Sequence, residues 1–212
     1  MIRIRVQLFA VSLATMLLSG CASYAVVENA PKQAGTGSKS YSIASYAKLN
    51  KKQQNDISIV VAFSGGGSRA AAFSYGVLEA LSQKQLQLKD ETWRMIDTVD
   101  IISSVSGGSF TAAYYGLYGE RLFTDFRKDF LNQDIEGSLI SDLHDPRVWF
   151  GNKTRTEYAI DYFNKIIFHQ ATFADMLQKD RPLIIINATD LGDGVRLSFI
   201  QEYFNLLCSD LS

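Results

Sequence analysis

Apolar and polar positions divide the chain into a featureless front and a strongly patterned remainder. Residues 57–63, ISIVVAF, form a continuous β-branched run, the pattern of a strand buried on both faces. After Arg69, AAAFSYGVLEALSQKQL brings Phe73, Val77, Leu78 and Leu81 onto one face at helical spacing. TVDIISSVS predicts a second buried strand and FTAAYYGLYGERLF a second helix. RTEYAIDYFNKIIF is amphipathic, with Tyr158, Tyr162, Ile166 and Ile167 in register, and Thr172 with Asp175 forms a capping pair at a further helix start. RPLIIINATDL predicts a third strand, and VRLSFI alternates as a fourth. Strands separated by helices imply an α/β fold with a mainly parallel sheet and helices on both faces. This domain occupies residues 56–212.

The front carries a different pattern. MIRIR is basic, LFAVSLATMLL is a short apolar run, and LSGC ends at Cys21. Residues 1–20 therefore have the form of an export signal, with an apolar run too short for the roughly 20 residues of a membrane span. Leu18-Ser19-Gly20-Cys21 resembles the lipobox of bacterial lipoproteins. That resemblance implies a lipid on Cys21 and attachment to a membrane. Ala22, where aspartate would retain a lipoprotein at the inner membrane, points to the outer one. Residues 21–55 hold few large apolar side chains and read as a flexible linker, with an end-to-end reach of roughly 30 Å.

Composition narrows the picture. The length of 212 residues, 47% hydrophobic and 20% charged, suits one packed domain. A net charge of −1 gives no electrostatic case for a nucleic-acid partner. The two cysteines are Cys21 and Cys208. With Cys21 lipidated, no internal disulfide forms, and Cys208 in FNLLCSDL reads as a small buried hydrophobe.

The candidate chemistry lies where the first two strands end. Gly65-Gly66-Gly67-Ser68-Arg69-Ala70 is a glycine turn between strand and helix, built to bring backbone N–H groups near negative charge. It matches the dinucleotide pattern G-x-G-x-x-A, which requires an acidic residue about 20 positions on. Asp90 and Glu91 have that spacing but stand in a polar stretch. A P-loop is excluded because no Gly-Lys-Ser/Thr follows. The second strand ends in Ser104-Val105-Ser106-Gly107-Gly108 before a helix, the layout of a nucleophile elbow. Ser106 is the candidate nucleophile, and Gly107 and Gly108 the small neighbours a sharp turn requires. A serine attacking a carbonyl creates an oxyanion, and N–H groups of the neighbouring glycine turn are suited to receive it. Arg69 could fix the turn or meet a lipid phosphate.

SGGGSRAAAFSYGVLEAL, SSVSGGS and IINATDLGDGVRLSF together resemble the patatin-like phospholipases. The resemblance runs from about Ile57 to the C-terminus. Ala70 and Ser104 depart from it, each standing where the family has glycine. It implies a three-layer α/β/α fold and a lipid or phospholipid acyl hydrolase without cofactor. In that scheme Ser106 is the nucleophile and Gly65, Gly66, Gly67 and Arg69 form the oxyanion site. The family's base is an aspartate in Asp-Gly-Gly or Asp-Gly-Ala. Asp193-Gly194 is the Asp-Gly after the elbow here, and it stands between two apolar runs, the mark of a hairpin turn rather than of the base. The resemblance therefore puts the dyad aspartate beyond Ser212 and makes the domain C-terminally incomplete. His144 and His169 offer an alternative base, though each reads more simply as a loop or helix-end residue. The rival to an enzyme is an inactive, truncated lipoprotein that only binds.

Overall fold

The computed structural model describes residues 41–50, 57–88, 90–135, 137–138, 154–178 and 180–209. The signal, Cys21 and His144 lie outside the described residues. Four strands form one sheet: β1 (Ile59–Phe63), β4 (Val99–Val105), β5 (Leu183–Thr189) and β6 (Arg196–Phe199), in the order β1-β4-β5-β6. The first three are mutually parallel, and β6 returns antiparallel to β5. The fold is thus α/β with a mainly parallel sheet, consistent with a three-layer arrangement. Helix α2 (Gly67–Gln83) links β1 to β4, and α3 (Gly107–Tyr118) starts the link from β4 to β5. Both steps move the same way across the sheet, so right-handed crossovers put both helices on one face. The Thr111 hydroxyl in α3 donates to the Ala71 carbonyl in α2 at 2.8 Å, deep in that contact.

Ile102 of β4 and Ile184 of β5 are fully buried beneath these helices, with Leu78, Tyr114, Leu122 and Phe126. A run of aromatic rings extends the core outward. Phe110 stacks on Phe130 at 4.8 Å and meets Phe163 at 4.6 Å, tying α3 to the helix Arg155–Phe163. The Thr172–Asp175 capping box forms as expected at the start of the helix Phe173–Met176.

The structure departs from the sequence pattern in five places. Phe73 is 74% exposed, because α2 buries Ala71, Ser74, Tyr75 and Leu78 instead. Small residues on that stripe let α2 approach α3 closely, and close approach decides which face turns inward. Among the described residues β1 stands at the edge of the sheet, and it is not buried on both faces, since Val60 is 60% exposed. The polar stretch after α2 folds into an antiparallel hairpin of β2 (Gln85–Leu88) and β3 (Glu91–Arg94), with Leu86 opposite Trp93. Cys208 is exposed, since Phe204 and Ser209 take the buried positions around it.

The fifth departure concerns the segment read as linker. Residues 43–49 form helix α1, capped by Ser42, whose hydroxyl accepts the Ser45 N–H. Tyr41 is buried, and its hydroxyl both donates to the Ile184 carbonyl at 2.9 Å and accepts the Ile184 N–H at 2.8 Å. β6 pairs with β5 only from Ile186 onward, so the phenol continues the ladder where, among the described residues, no strand reaches. Its burial pushes the Tyr41 pKa well above the usual phenol range. The Tyr41 carbonyl accepts the Gln201 N–H, and Glu202 accepts the Ile43 N–H. Tyr41 and the helix after it therefore belong to the folded part, because one aromatic ring with a polar tip is enough to anchor an otherwise polar stretch.

Candidate active site

β1 and β4 are parallel neighbours, with Phe63 beside Ser104. Their C-terminal ends lie together, so the glycine turn after β1 and the Ser106 elbow after β4 meet at one end of the sheet. Ser106 has φ 51 and ψ −126. A non-glycine residue there carries strain on the order of 1–3 kcal/mol and persists only where the surroundings impose it. Those surroundings are visible. A Cβ on Gly107 would stand 2.1 Å from the Gly67 carbonyl oxygen, and one on Gly108 would stand 2.7 Å from Phe63 Cβ. The elbow and the glycine turn touch backbone to backbone, with no room for a side chain between them.

Gly65 closes the same contact from the other side. Its Cβ position would lie 3.1 Å from Ser106 Cβ and 3.6 Å from Ser106 Oγ. The turn enters α2 through Gly66 at φ 142 and Gly67 at φ 60, conformations that glycine adopts without steric cost. Ser106 itself is exposed, and the 12-residue helix α3 begins immediately after it. The positive end of that helix therefore lies at the serine. The Ser106 carbonyl accepts the Ser109 N–H at 2.9 Å, closing the first turn.

The end of β4 is held from its other neighbour as well. Ser104, where the elbow pattern has glycine, is 2% exposed and donates to the Ile185 carbonyl at 3.4 Å. Asn187 of β5 donates to Ser103 Oγ at 3.1 Å and to the Ser104 carbonyl at 3.0 Å. Its Oδ1 accepts the Ser198 hydroxyl of β6 at 2.7 Å. Sequence reasoning passed over this group. The available signal was an asparagine interrupting the apolar run LIIINAT, since a half-buried polar side chain in a strand requires partners.

The remaining candidates separate. Arg69 lies exposed in the first turn of α2, beside the glycines. Asp193 sits in the β5–β6 turn, where Asp190 Oδ1 accepts the N–H groups of Gly192 and Asp193 and the Asp190 carbonyl accepts the Gly194 N–H. That turn is the hairpin its sequence announced. His169 ends a π-helical turn at φ 50. The adjoining Phe168 carbonyl accepts the Tyr118 hydroxyl at the last turn of α3. The Phe168 ring also meets Phe110, one turn into α3, at 6.0 Å, and no hydrogen bond joins His169 to Ser106 among the described residues. Asp90 and Glu91 lie in the β2–β3 hairpin after α2 ends. A dinucleotide site needs its carboxylate at the tip of the next parallel strand. That tip is occupied by Ser106, which rules out the dinucleotide alternative. Among the described residues no cluster of three metal-ligating side chains is present, and no helix is long and apolar enough to cross a membrane.

A glycine turn and a serine elbow therefore stand together at the ends of adjacent parallel strands of an α/β sheet. The profile of the patatin-like phospholipases matches residues 61–189, well over half the chain. The chain belongs to the patatin-like phospholipase family. Among solved structures it is similar to human GIVD cytosolic phospholipase A2 in complex with methyl gamma-linolenyl fluorophosphonate inhibitor and terbium chloride. The identity is 21% over 74% of this chain, with a TM-score of 0.42, and the match spans 26% of that protein. No curated protein matches the sequence.

Proposed function

We propose that this chain is a serine lipid acyl hydrolase of phospholipase A or esterase type, with Ser106 as nucleophile. The observation that carries it is the backbone of Ser106, an exposed serine held at φ 51 between strand and helix, with Gly65 against it and the following Gly107 against Gly67. Ser106 Oγ attacks the ester carbonyl carbon while a base takes its proton. The carbonyl π electrons move onto oxygen, and the N–H groups of Gly65–Gly67 receive the oxyanion. One such donor contributes roughly 3–4 kcal/mol of barrier lowering. Collapse expels the alcohol, which leaves with a proton, and water then releases the fatty acid from Ser106. Arg69 at the rim meets the phosphate of a phospholipid substrate. A lipid on Cys21 places the domain at the envelope membrane, on the outer-membrane side, where its substrate resides.

A fluorophosphonate probe tests this on the purified, folded protein. Labelling of wild type and loss of the label in Ser106→Ala is the expected outcome. Folded wild-type protein that takes up no probe would overturn it in favour of a lipid-binding protein without catalysis. Mass spectrometry after [³H]palmitate feeding, on wild type and Cys21→Ala, tests the anchor separately.

A further inference from the structure

We propose that Asn187 is a positioning residue that locks the end of β4, so that Ser106 keeps its left-handed backbone. The inference rests on Ser106 being the reactive serine. The carboxamide bonds to groups on three strands, β4, β5 and β6. Its nitrogen donates to Ser103 Oγ and the Ser104 carbonyl on β4, and to the Ile185 carbonyl at 3.3 Å on its own strand. Its oxygen accepts from Ser198 on β6, which is 5% exposed. Two of the nitrogen's partners are carbonyls, which can only accept, so the amide has one satisfactory orientation.

The bonded Ser104 carbonyl lies two residues before Ser106. Beyond Ser106, the chain is fixed by the contacts of Gly107 with Gly67 and of Gly108 with Phe63. The serine is therefore pinned on both sides. The glycine contacts fix the helix side, and Asn187 fixes the strand side. With the strand side released, Ser106 can relax toward an ordinary backbone and turn its hydroxyl away from the glycine turn. Misplacement of about 1 Å in a reacting group is enough for roughly a hundredfold loss of rate. An aspartate at 187 would set carboxylate oxygens against two carbonyls, repelling the groups that asparagine joins.

The test uses Asn187→Ala, Asn187→Asp and the milder Ser198→Ala, with Ile186→Val as a control of comparable thermal destabilisation on the same strand. Fluorophosphonate labelling of Ser106 is followed well below each Tm, together with hydrogen exchange over residues 103–109. Asn187→Ala should slow labelling about tenfold or more, speed exchange across the elbow, and lower kcat on a soluble ester with KM unchanged. Ser198→Ala should move the same readouts less, and Ile186→Val should leave them near wild type. Labelling in Asn187→Ala equal to that of Ile186→Val would overturn the proposal. If Asn187→Ala fails to fold, Ser198→Ala decides by the same criterion. Should wild-type Ser106 take no label, the hydrolase reading falls. Elbow exchange then decides the locking role alone, and unchanged exchange refutes it.

Discussion

Two glycine turns stand at the same end of the sheet, and they use glycine for opposite reasons. The elbow after β4 is packed. Gly107 faces Gly67 so closely that a Cβ would stand 2.1 Å from its carbonyl oxygen. The turn after β5 is open. Gly194 has φ 68, and nothing lies within 4 Å of where its Cβ would be. Space is what the elbow demands of Gly107, and dihedral freedom is what the hairpin demands of Gly194. A contact requirement couples two strands and can hold a strained serine. A dihedral requirement concerns only the hairpin that contains it.

Substitutions can break this contrast, and the largest effect belongs to the packed turn. Gly107→Ala should cost at least about 3 kcal/mol, the upper part of the range for forcing a methyl into a filled site, and abolish labelling of Ser106. Thermal melting and the fluorophosphonate probe read the two effects. Gly65→Ala meets Ser106 Cβ at 3.1 Å, a milder clash. It should slow labelling by about tenfold, on the order of 1.4 kcal/mol of barrier, with little change in Tm. Gly194→Ala should lower stability by about 1 kcal/mol through its positive φ and leave the labelling rate untouched. Asp193→Ala should alter neither, because Asp190 supplies the hydrogen-bond acceptor of that turn. A loss of labelling on the order of a hundredfold in Asp193→Ala, the scale of a missing general base, would make the open turn catalytic and erase the contrast.

What could be read from the sequence follows the same divide. Local chemistry was legible. Gly-rich turns after apolar runs, the Thr172–Asp175 capping box and the Asp193-Gly194 hairpin depend on neighbours in the chain. Contacts between distant segments were not. Phe73 reads as core by spacing, yet which stripe of α2 turns inward depends on how closely α3 approaches. β1 reads as buried on both faces because its residues are apolar, yet what covers a strand is a property of the assembled sheet and not of the strand. Asn187 was visible only as an oddity in an apolar run, since its partners lie 84 residues upstream at Ser103 and 11 downstream at Ser198. The helix α1 escaped for a similar reason. Its anchor, Tyr41, finds its partner only once the rest has folded.

That anchor also orders events in time. Tyr41 and Ile184 are 143 residues apart in sequence, and closing so long a loop is entropically costly until both ends of the loop are constrained. The phenol has nothing to bind before β5 is laid beside β4. Docking of residues 41–50 is then a late step in refolding, after the sheet has formed. A nascent chain leaving a narrow pore N-terminus first would emit this segment long before its partner exists. It must wait undocked for Ile184, and during that wait it is open to proteases and chaperones.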